Sequence, residues 1–351
     1  MGTFLVTGAT GFIGSRLVAA LSLRGDRVRA LQRRGKGWTP SPPPGMGWES
    51  PESDPLRAPQ VEWWYGDITA PDSLRRAAQG CDGIFHLAAS AKNYDPDPTM
   101  FHRMNVGGLR NVLDAAETVG VGRVVWSSSC VTLGPTRPGQ VLTENEPRIT
   151  EICFNEYERT KVEAEGVATE FVRRGVPVVI VNPTRVFGPG YLTESNSVTI
   201  LIDEYSRWMM PFLPRFGRCV GNWVFVEDVV RGMIAAMEKG RIGQRYLLGG
   251  DNATLAEFFG FVDQASGKRH LRIPLGTYIP LGFSYLQLGL ARTFGIYPRI
   301  TPGWIRMFCA HAAYRCDKAK EELGYLYTPV QEAVRITWEW ILRTRAERRL
   351  H

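Results

Sequence analysis

Short apolar runs alternate with segments of helical periodicity through the first half of the chain. The runs lie at 4–6, 28–31, 83–87, 123–126 and 176–181. After the first run, Ile13, Leu17, Ala20 and Leu21 recur at helical spacing, and Gly25 then ends the predicted helix. Strands that alternate with helices in this way predict βαβ units, and therefore an α/β fold with a doubly wound parallel sheet.

The pattern changes in two places. Residues 35–59 are rich in Pro and Gly and predict a long loop, which is either disordered or, because it contains Trp38 and Trp48, a lid or partner-binding segment. After Pro183 the pattern becomes mostly helical. We expect a sheet domain formed by 1–189 and 223–250, with short strands near 223–228 and 244–248, and a smaller helical domain formed by 190–222 and 251–351.

A glycine-rich turn joins the first strand to the first helix. It reads Thr7-Gly8-Ala9-Thr10-Gly11-Phe12-Ile13-Gly14. Glycines at this spacing allow a tight turn, a close approach of the backbone to a pyrophosphate, and close packing of helix against strand. The strand–turn–helix context is the one that a dinucleotide site requires, and it predicts a Rossmann-type domain.

The second strand ends without an acidic residue. Gln32, Arg33 and Arg34 stand where NAD enzymes usually carry a carboxylate that binds the ribose 2′-OH. Two guanidinium groups would instead bind a 2′-phosphate. The sequence therefore favours NADP over NAD, although two solvated arginines at the start of a loop would look the same.

A Ser, Tyr and Lys set follows the fourth run. Ser127-Ser128-Ser129 lies at the strand end, and Tyr157 and Lys161 are one helical turn apart on one face. A neighbouring ammonium lowers the pKa of a phenol and so helps it to exchange protons. Tyr314 and Lys318 have the same spacing but no such strand before them, and we interpret them as part of a surface helix.

With these residues in place, the chain resembles the extended short-chain dehydrogenase/reductase family over almost its whole length. The motifs that carry the resemblance are the glycine turn, Gly66-Asp67-Ile68, His86-Leu87-Ala88-Ala89, Asn105 in Asn-Val-Gly-Gly, Ser129, Tyr157, Lys161, Asn182-Pro183 and Gly188-Pro189-Gly190. The resemblance implies an NADP-dependent oxidoreductase in which Tyr157 exchanges a proton with the substrate oxygen, Ser129 orients that oxygen, and Lys161 holds the ribose.

The same resemblance assigns the supporting residues. It implies that Asp67 and Ile68 contact the adenine, that Leu87, Ala88, Ala89 and Pro183 flank the cofactor, and that Asn105 supports the lysine. Ser90, Lys92, Tyr94 and Val131 are candidate substrate contacts, because loops beyond the carboxyl ends of strands form the ligand crevice. A homodimer is also implied.

Two departures bear on the substrate. Gly221-Asn222-Trp223 stands where nucleotide-sugar members usually carry an arginine, and Cys130 and Val131 follow Ser129 where dehydratases carry an acidic pair. The chain is closer to the branch of dihydroflavonol reductases and 3β-hydroxysteroid dehydrogenases. We therefore expect a ketone or secondary alcohol of a fairly apolar molecule that is flavonoid-, steroid- or terpenoid-like. A sugar or nucleotide-sugar epimerase and a non-catalytic NADP-binding regulator remain alternatives.

Composition and charge indicate which partners and which cellular compartment to expect. The chain has 351 residues and a formal net charge of +7, which suits an anionic ligand or a membrane surface. Lys and Arg form no continuous block, so nucleic acid is not favoured as a partner. Six cysteines without metal-site spacing, no metal site, no signal peptide and no transmembrane run predict a cytoplasmic protein.

Two apolar clusters have alternative interpretations. Tyr278 to Ala291 is either a core helix of the second domain, a helix that lines a substrate pocket, or a helix that touches a membrane surface. Trp208, Met209, Met210, Phe212 and Phe216 either fill a core or meet an apolar ligand.

Overall fold

In the computed structural model, the residues described are 1–33, 46, 54–209 and 212–350. The strands are β1 (Thr3–Thr7), β2 (Arg27–Gln32), β3 (Val61–Tyr65), β4 (Gly83–His86), β5 (Arg123–Ser127), β6 (Val178–Pro183), β7 (Arg185–Phe187), β8 (Phe212–Pro214), β9 (Val220–Phe225), β10 (Arg245–Leu248), β11 (Asp251–Thr254) and β12 (Ile273–Leu275). The helices are α1 (Phe12–Leu23), α2 (Pro71–Ala78), α3 (Thr99–His102), α4 (Gly108–Val119), α5 (Glu156–Arg173), α6 (Ser197–Ser206), α7 (Val226–Lys239), α8 (Leu255–Ser266), α9 (Tyr278–Phe294), α10 (Pro302–Cys309), α11 (Asp317–Leu323) and α12 (Val330–Leu350). Most of the predicted loop 35–59, together with Arg34 and Met210, lies outside the described residues.

Within the described residues, seven parallel strands form one sheet in the order β3-β2-β1-β4-β5-β6-β10. Strand order reverses between β1 and β4, which opens a crevice at the carboxyl ends of those strands. Strand β6 is buried along its whole length, as its Val-Val-Ile-Val sequence predicts for a central parallel strand. The predicted doubly wound α/β sheet is therefore confirmed.

Helices cover both faces of this sheet because their apolar stripes have the right period. On one face, α1 and α7 pack around Leu17, Val229 and Met233. On the other face, α2, α4 and α5 bury side chains that include Leu109 and Phe171. Two hydrophobic layers thus hold the sheet edge rigid where the strands end.

A second sheet of three strands has the order β11-β9-β7 within the described residues. The sequence placed a strand at 223–228 in the main sheet, but β9 ends at Phe225 and pairs with β7 and β11. Val226 begins α7 instead. Strand β10 does join the main sheet, beside β6. The division of the chain into two domains stays a prediction.

An aromatic core joins the second sheet to its helices. The Trp223 ring stacks on Phe258 of α8 with ring centroids 4.0 Å apart, and Phe187 meets Phe258 edge-on at 5.5 Å. These side chains are almost fully buried. Aromatic pairs of this kind contribute more than their buried area alone.

The interpretation of 278–291 as a core helix is wrong. Helix α9 buries Ser284 and Ala291, whereas most of its large apolar side chains are exposed or half-buried. Trp208 and Met209 are likewise 53% and 57% exposed, so they do not fill a core either.

The aromatic core generates a stability prediction. Replacing Phe258 by Ala should lower the free energy of unfolding by about 3–5 kcal/mol, because the cavity is enclosed by other rings. The matched control is Phe294→Ala, since Phe294 is 73% exposed. We expect that control to change the free energy by less than about 0.5 kcal/mol. Urea denaturation followed by circular dichroism measures both, and equal losses would contradict the packing described.

Candidate active site

A cleft of about 460 Å³ opens at the carboxyl ends of the sheet strands. The predicted site residues that line it are Gly8, Thr10, Gly11, Phe12, Ile13, Gly14, Arg33, Ile68, Leu87, Ala88, Ala89, Lys92, Ser129, Val131, Tyr157, Lys161 and Pro183. Of the other predicted residues, Asp67, Ser90, Tyr94 and Asn105 are outside the lining, and Arg34 is outside the described residues. The cleft thus brings most of the predicted set together.

The glycine turn is shaped by close backbone approaches. Gly8 has a φ of +73°, and a Cβ there would lie 2.7 Å from the Ala88 nitrogen. A Cβ on Gly14 would lie 2.0 Å from the Gly8 carbonyl oxygen. Gly11 precedes α1 without a capping side chain, and the first turn of α1 contains no acidic residue. The first-turn N–H groups are therefore available to an anion such as a pyrophosphate.

Arg33 and Ile68 form the end of the cleft beside β2 and β3. Arg33 directly follows β2, is exposed and lines the cleft, as does Gly66. Asp67 instead caps the local turn, since its carboxylate accepts hydrogen bonds from the Thr69 N–H and hydroxyl at 2.8 Å each. A positive side chain, and not a carboxylate, therefore faces this end of the cleft.

The Ser, Tyr and Lys set converges through two local structures. Ser129 follows β5, and the Asn182 side-chain amide donates to its carbonyl at 3.0 Å. Asn155 caps α5 by accepting from the Glu158 N–H at 2.8 Å, which places Tyr157 in the first turn of that helix. Ser129 and Tyr157 both line the cleft, and the Ser129 side chain lies close enough to Tyr157 to influence its pKa.

Burial dominates the titration of both groups on α5. It raises the pKa of Tyr157 to about 12, against a smaller lowering by the Ser129 hydroxyl. Burial also lowers the pKa of Lys161 to about 8, partly offset by Glu165. The expectation that the lysine lowers the pKa of Tyr157 is thus not met in the protein alone: Lys161 Nζ is 5.9 Å from the ring centroid, and burial is the dominant influence on the phenol.

Backbone and neutral groups hold Lys161. Its Nζ donates to the Ser127 carbonyl at 2.8 Å and lies 5.4 Å from the Trp126 ring centroid. His86 is nearby, and burial together with the lysine charge lowers the pKa of His86 to about 3. The imidazole is therefore neutral at physiological pH, and it makes a 2.7 Å hydrogen bond with the Thr7 hydroxyl.

Asn105 stabilises the site without lining the cleft. Its side chain accepts from the Ser90 N–H at 2.7 Å and donates to the Ser90 carbonyl at 3.1 Å and the Thr160 hydroxyl at 2.9 Å. It therefore ties the loop after β4 to α5, and no contact to Lys161 is present among these bonds. The implied support of the lysine is thus indirect, through Thr160.

Of the four predicted substrate contacts, two line the cleft and two do not. Val131 lines the cleft, and so does Lys92, which is paired with Asp95 at 3.1 Å. Tyr94 packs edge-on against Tyr297 with ring centroids 5.9 Å apart, outside the lining. Ser90 is buried.

Tyr314 is a site residue that the sequence interpretation missed. It precedes α11, is 4% exposed and lines the cleft, so its assignment to a surface helix is wrong. Its hydroxyl donates to the Gly134 carbonyl at 2.9 Å. This contact joins positions far apart in the chain, which no local pattern reveals.

The far wall of the cleft is apolar. Trp304, Met307 and Phe308 of α10 line it, and the Trp304 and Phe308 rings stack at 4.7 Å. Arg185 lies in the same wall, with its guanidinium 4.8 Å from the Phe308 centroid and 5.0 Å from Trp223. No carboxylate in the described part of the chain lies within ion-pair distance of Arg185. Its position just after a sheet strand is the one sequence feature that could have identified it.

A sheet of this order, with its glycine turn and a Ser-Tyr-Lys set at one cleft, defines an NAD(P)-dependent oxidoreductase of the extended short-chain dehydrogenase/reductase type. Comparison with known families agrees with that class. The chain belongs to the NAD dependent epimerase/dehydratase family, whose model matches residues 4–249.

Several known proteins are similar to this chain over almost its whole length. It is 29% identical over 341 residues to a putative dihydroflavonol 4-reductase of Synechocystis sp., covering 96% of this chain and 94% of that protein. It is 30% identical over 349 residues to sterol demethylase protein B of Methylococcus capsulatus, covering 96% and 98%. The crystal structure of gox2253 superposes with a TM-score of 0.77 at 30% identity and covers 98% of each chain. These relatives confirm the branch expected from the motifs.

The buried lysine generates a pH prediction. A lysine with a pKa of about 8 is half charged at that pH, so any step that needs its ammonium weakens above it. We expect kcat/KM for carbonyl reduction to fall above about pH 8. In Lys161→Arg, the residual activity should stay level to higher pH, because a guanidinium keeps its charge. Initial rates across the pH range measure this, and a wild-type profile that is flat to pH 10 would contradict it.

Proposed function

We propose that this protein is an NADP-dependent oxidoreductase that transfers a hydride between the nicotinamide and a ketone or secondary alcohol. The observation that carries the proposal is the convergence of Ser129, Tyr157 and Lys161 on one cleft whose far wall is apolar. Relatives named as a dihydroflavonol reductase and a sterol demethylase protein support a flavonoid-, steroid- or terpenoid-like substrate. A homodimer in the cytoplasm stays a prediction.

The residues present fit a dinucleotide. The Gly8 and Gly14 approaches leave room for no side chain, and the free N–H groups of α1 suit a pyrophosphate. Arg33 at the end of β2 supports binding of a 2′-phosphate, and no acidic residue competes with it at that strand end. When bound, the cofactor supplies or accepts the hydride.

The chain's own residues handle the oxygen and its proton. Because its pKa is raised, Tyr157 is a neutral phenol at physiological pH, and it donates its proton to the substrate oxygen during reduction. The Ser129 hydroxyl donates a hydrogen bond to the same oxygen and fixes its position. The Lys161 ammonium offers a positive charge one helical turn away, where it binds the ribose and stabilises the phenolate as it forms. Oxidation reverses these steps.

A nucleotide-sugar epimerase is the second candidate, and one observation weakens it. Asn222, at the place where nucleotide-sugar relatives carry a diphosphate-binding arginine, is buried and donates to the Gly250 carbonyl at 2.8 Å. It is absent from the cleft lining. A non-catalytic NADP-binding regulator is the third candidate, and the intact Ser129, Tyr157 and Lys161 set favours catalysis over it.

Cofactor preference is tested by titration with NADPH and NADH, followed by nicotinamide fluorescence. Each charge-assisted hydrogen bond contributes about 1.5–3 kcal/mol, so Arg33→Ala should weaken NADPH binding by roughly tenfold to a hundredfold. Binding of NADH should not change. Arg76→Ala, an exposed arginine of α2, is the matched control. Tighter binding of NADH by the wild type would sink the NADP assignment.

Catalysis is tested with Tyr157→Phe and apolar ketones. Loss of the proton donor should lower kcat by about a hundredfold to ten-thousandfold, while NADPH affinity is retained. Tyr65→Phe, at an exposed position of β3, should leave both unchanged. Activity of the wild type on a uridine-diphosphate sugar but on no ketone would move the assignment to the epimerase. Unchanged cellular function in Tyr157→Phe would favour the regulator.

A further inference from the structure

Helix α9 is inverted relative to an ordinary surface helix. It buries Ser284 and Ala291, which are small, and directs its large apolar side chains outward. Tyr278, Ile279, Phe283 and Leu286 are 87%, 62%, 56% and 60% exposed, and Phe294 is 73% exposed. At 100° per residue these five positions, with Gly282 and Gly289 between them, cover one side of the helix. A contiguous apolar face of this kind marks a contact surface.

The Asp, Glu, Lys and Arg side chains of the segment that contains this helix are all basic. Residues 264–316 contain no Asp or Glu, and their basic residues are Lys268, Arg269, Arg272, Arg292, Arg299, Arg306 and Arg315. These seven positive charges equal the formal net charge of +7 of the whole chain. The remainder of the protein is therefore balanced, and the excess is concentrated in the segment that includes α9.

Several of these charges are free to meet a partner. Lys268, Arg269 and Arg292 are exposed, and no described carboxylate lies within 4.0 Å of them. Arg272 pairs with Asp263, and Arg299 pairs with Glu204 at 2.7 Å. Arg292 lies on α9 itself, so an unpaired cation flanks the apolar face, and Lys268 and Arg269 lie in the loop between α8 and β12 of the same segment. Such cations attract anionic lipid headgroups.

The same segment forms the substrate wall of the cleft. It runs on from α9 through α10, which supplies Trp304, Met307 and Phe308, to Tyr314. The exposed apolar face and the apolar cleft wall are therefore carried by adjacent helices in contact. Within the described residues, no helix is long and apolar enough to cross a bilayer.

We propose that residues 264–316 bind the surface of an anionic lipid bilayer, with α9 lying in the interface and α10 beside it bounding the cleft. An apolar face flanked by basic residues is the pattern of helices that lie in the membrane plane. A second copy of this chain fits less well, because a two-fold contact would set the same positive surface against itself. Nucleic acid fits less well because, of the five large side chains on the exposed face, only Tyr278 carries a hydrogen-bonding group.

The test is sedimentation of the full chain with vesicles. Mixed phosphatidylglycerol and phosphatidylcholine vesicles should pellet the protein, phosphatidylcholine alone should pellet far less, and added salt should release it. The combined variant Lys268→Gln, Arg269→Gln and Arg292→Gln should lower the partition coefficient by roughly a hundredfold, since each charge contributes about fivefold. The combined variant Ile279→Ser, Phe283→Ser and Leu286→Ser should lower it at least as much.

Matched controls change equally exposed side chains elsewhere on the surface. The apolar control combines Leu23→Ser, Ile242→Ser and Leu326→Ser, and the charge control combines Arg27→Gln, Arg76→Gln and Arg173→Gln. Both should bind vesicles within about twofold of the wild type. Thermal unfolding and NADPH affinity establish that every variant is folded, and neither depends on lipid.

Three results would overturn the proposal. The first is wild-type protein that stays in the supernatant with phosphatidylglycerol vesicles. The second is vesicle binding that both α9-region variants leave unchanged. The third is a dimer, seen by sedimentation velocity, that the Ile279, Phe283 and Leu286 variant dissociates, or a DNA oligonucleotide that the same variant no longer binds. In either of those last cases the face would belong to a second copy or to nucleic acid.

Discussion

The close approach of α1 to the ends of β1 and β4 is the constraint on which the rest of the site depends. The backbone at Gly8 lies against Ala88, and Gly14 lies against the Gly8 carbonyl, so the helix N-terminus meets the sheet without side chains between them. This approach aims the free N–H groups of α1 into the crevice at the switch point of strand order. Arg33 and Ser129 follow strands of the same sheet, and Lys161 of α5 is bound to the end of β5 through the Ser127 carbonyl, so the sheet sets their positions.

The sequence allowed much of this to be predicted because the signals are local. The strand–turn–helix at Gly8 to Gly14 is continuous in the chain, and Tyr157 and Lys161 are only four residues apart. Contacts between distant segments were not predictable. Tyr314 reaches the cleft through a bridge to Leu142, and β9 has an apolar sequence that suits either sheet. The prediction for α9 was wrong because a high apolar content usually indicates burial. In the structure, its small residues Ser284 and Ala291 face inward and its large apolar residues face outward.

The part of the chain from β9 to α10 has three structural roles. Its aromatic core at Trp223 and Phe258 anchors the small sheet, and Phe308 of α10 joins that core while also facing the cleft. Helix α9 packs beside α10 and leaves its large side chains outside. The apolar wall of the cleft is therefore held in place by a packed aromatic core, whereas α9 contributes little to that core.

Lys161 is held by the backbone and not by an acidic side chain. The Ser127 carbonyl that accepts its hydrogen bond belongs to the last residue of β5, which pairs with Val181 of β6. The position of the ammonium is thus fixed relative to β5. A slight shift of β5 along its neighbouring strands would therefore move the charge as well. Changes in the core beneath β5 and β6 would therefore shift the Lys161 ammonium as well as alter stability, so this part of the hydrophobic core also sets the geometry of the cleft.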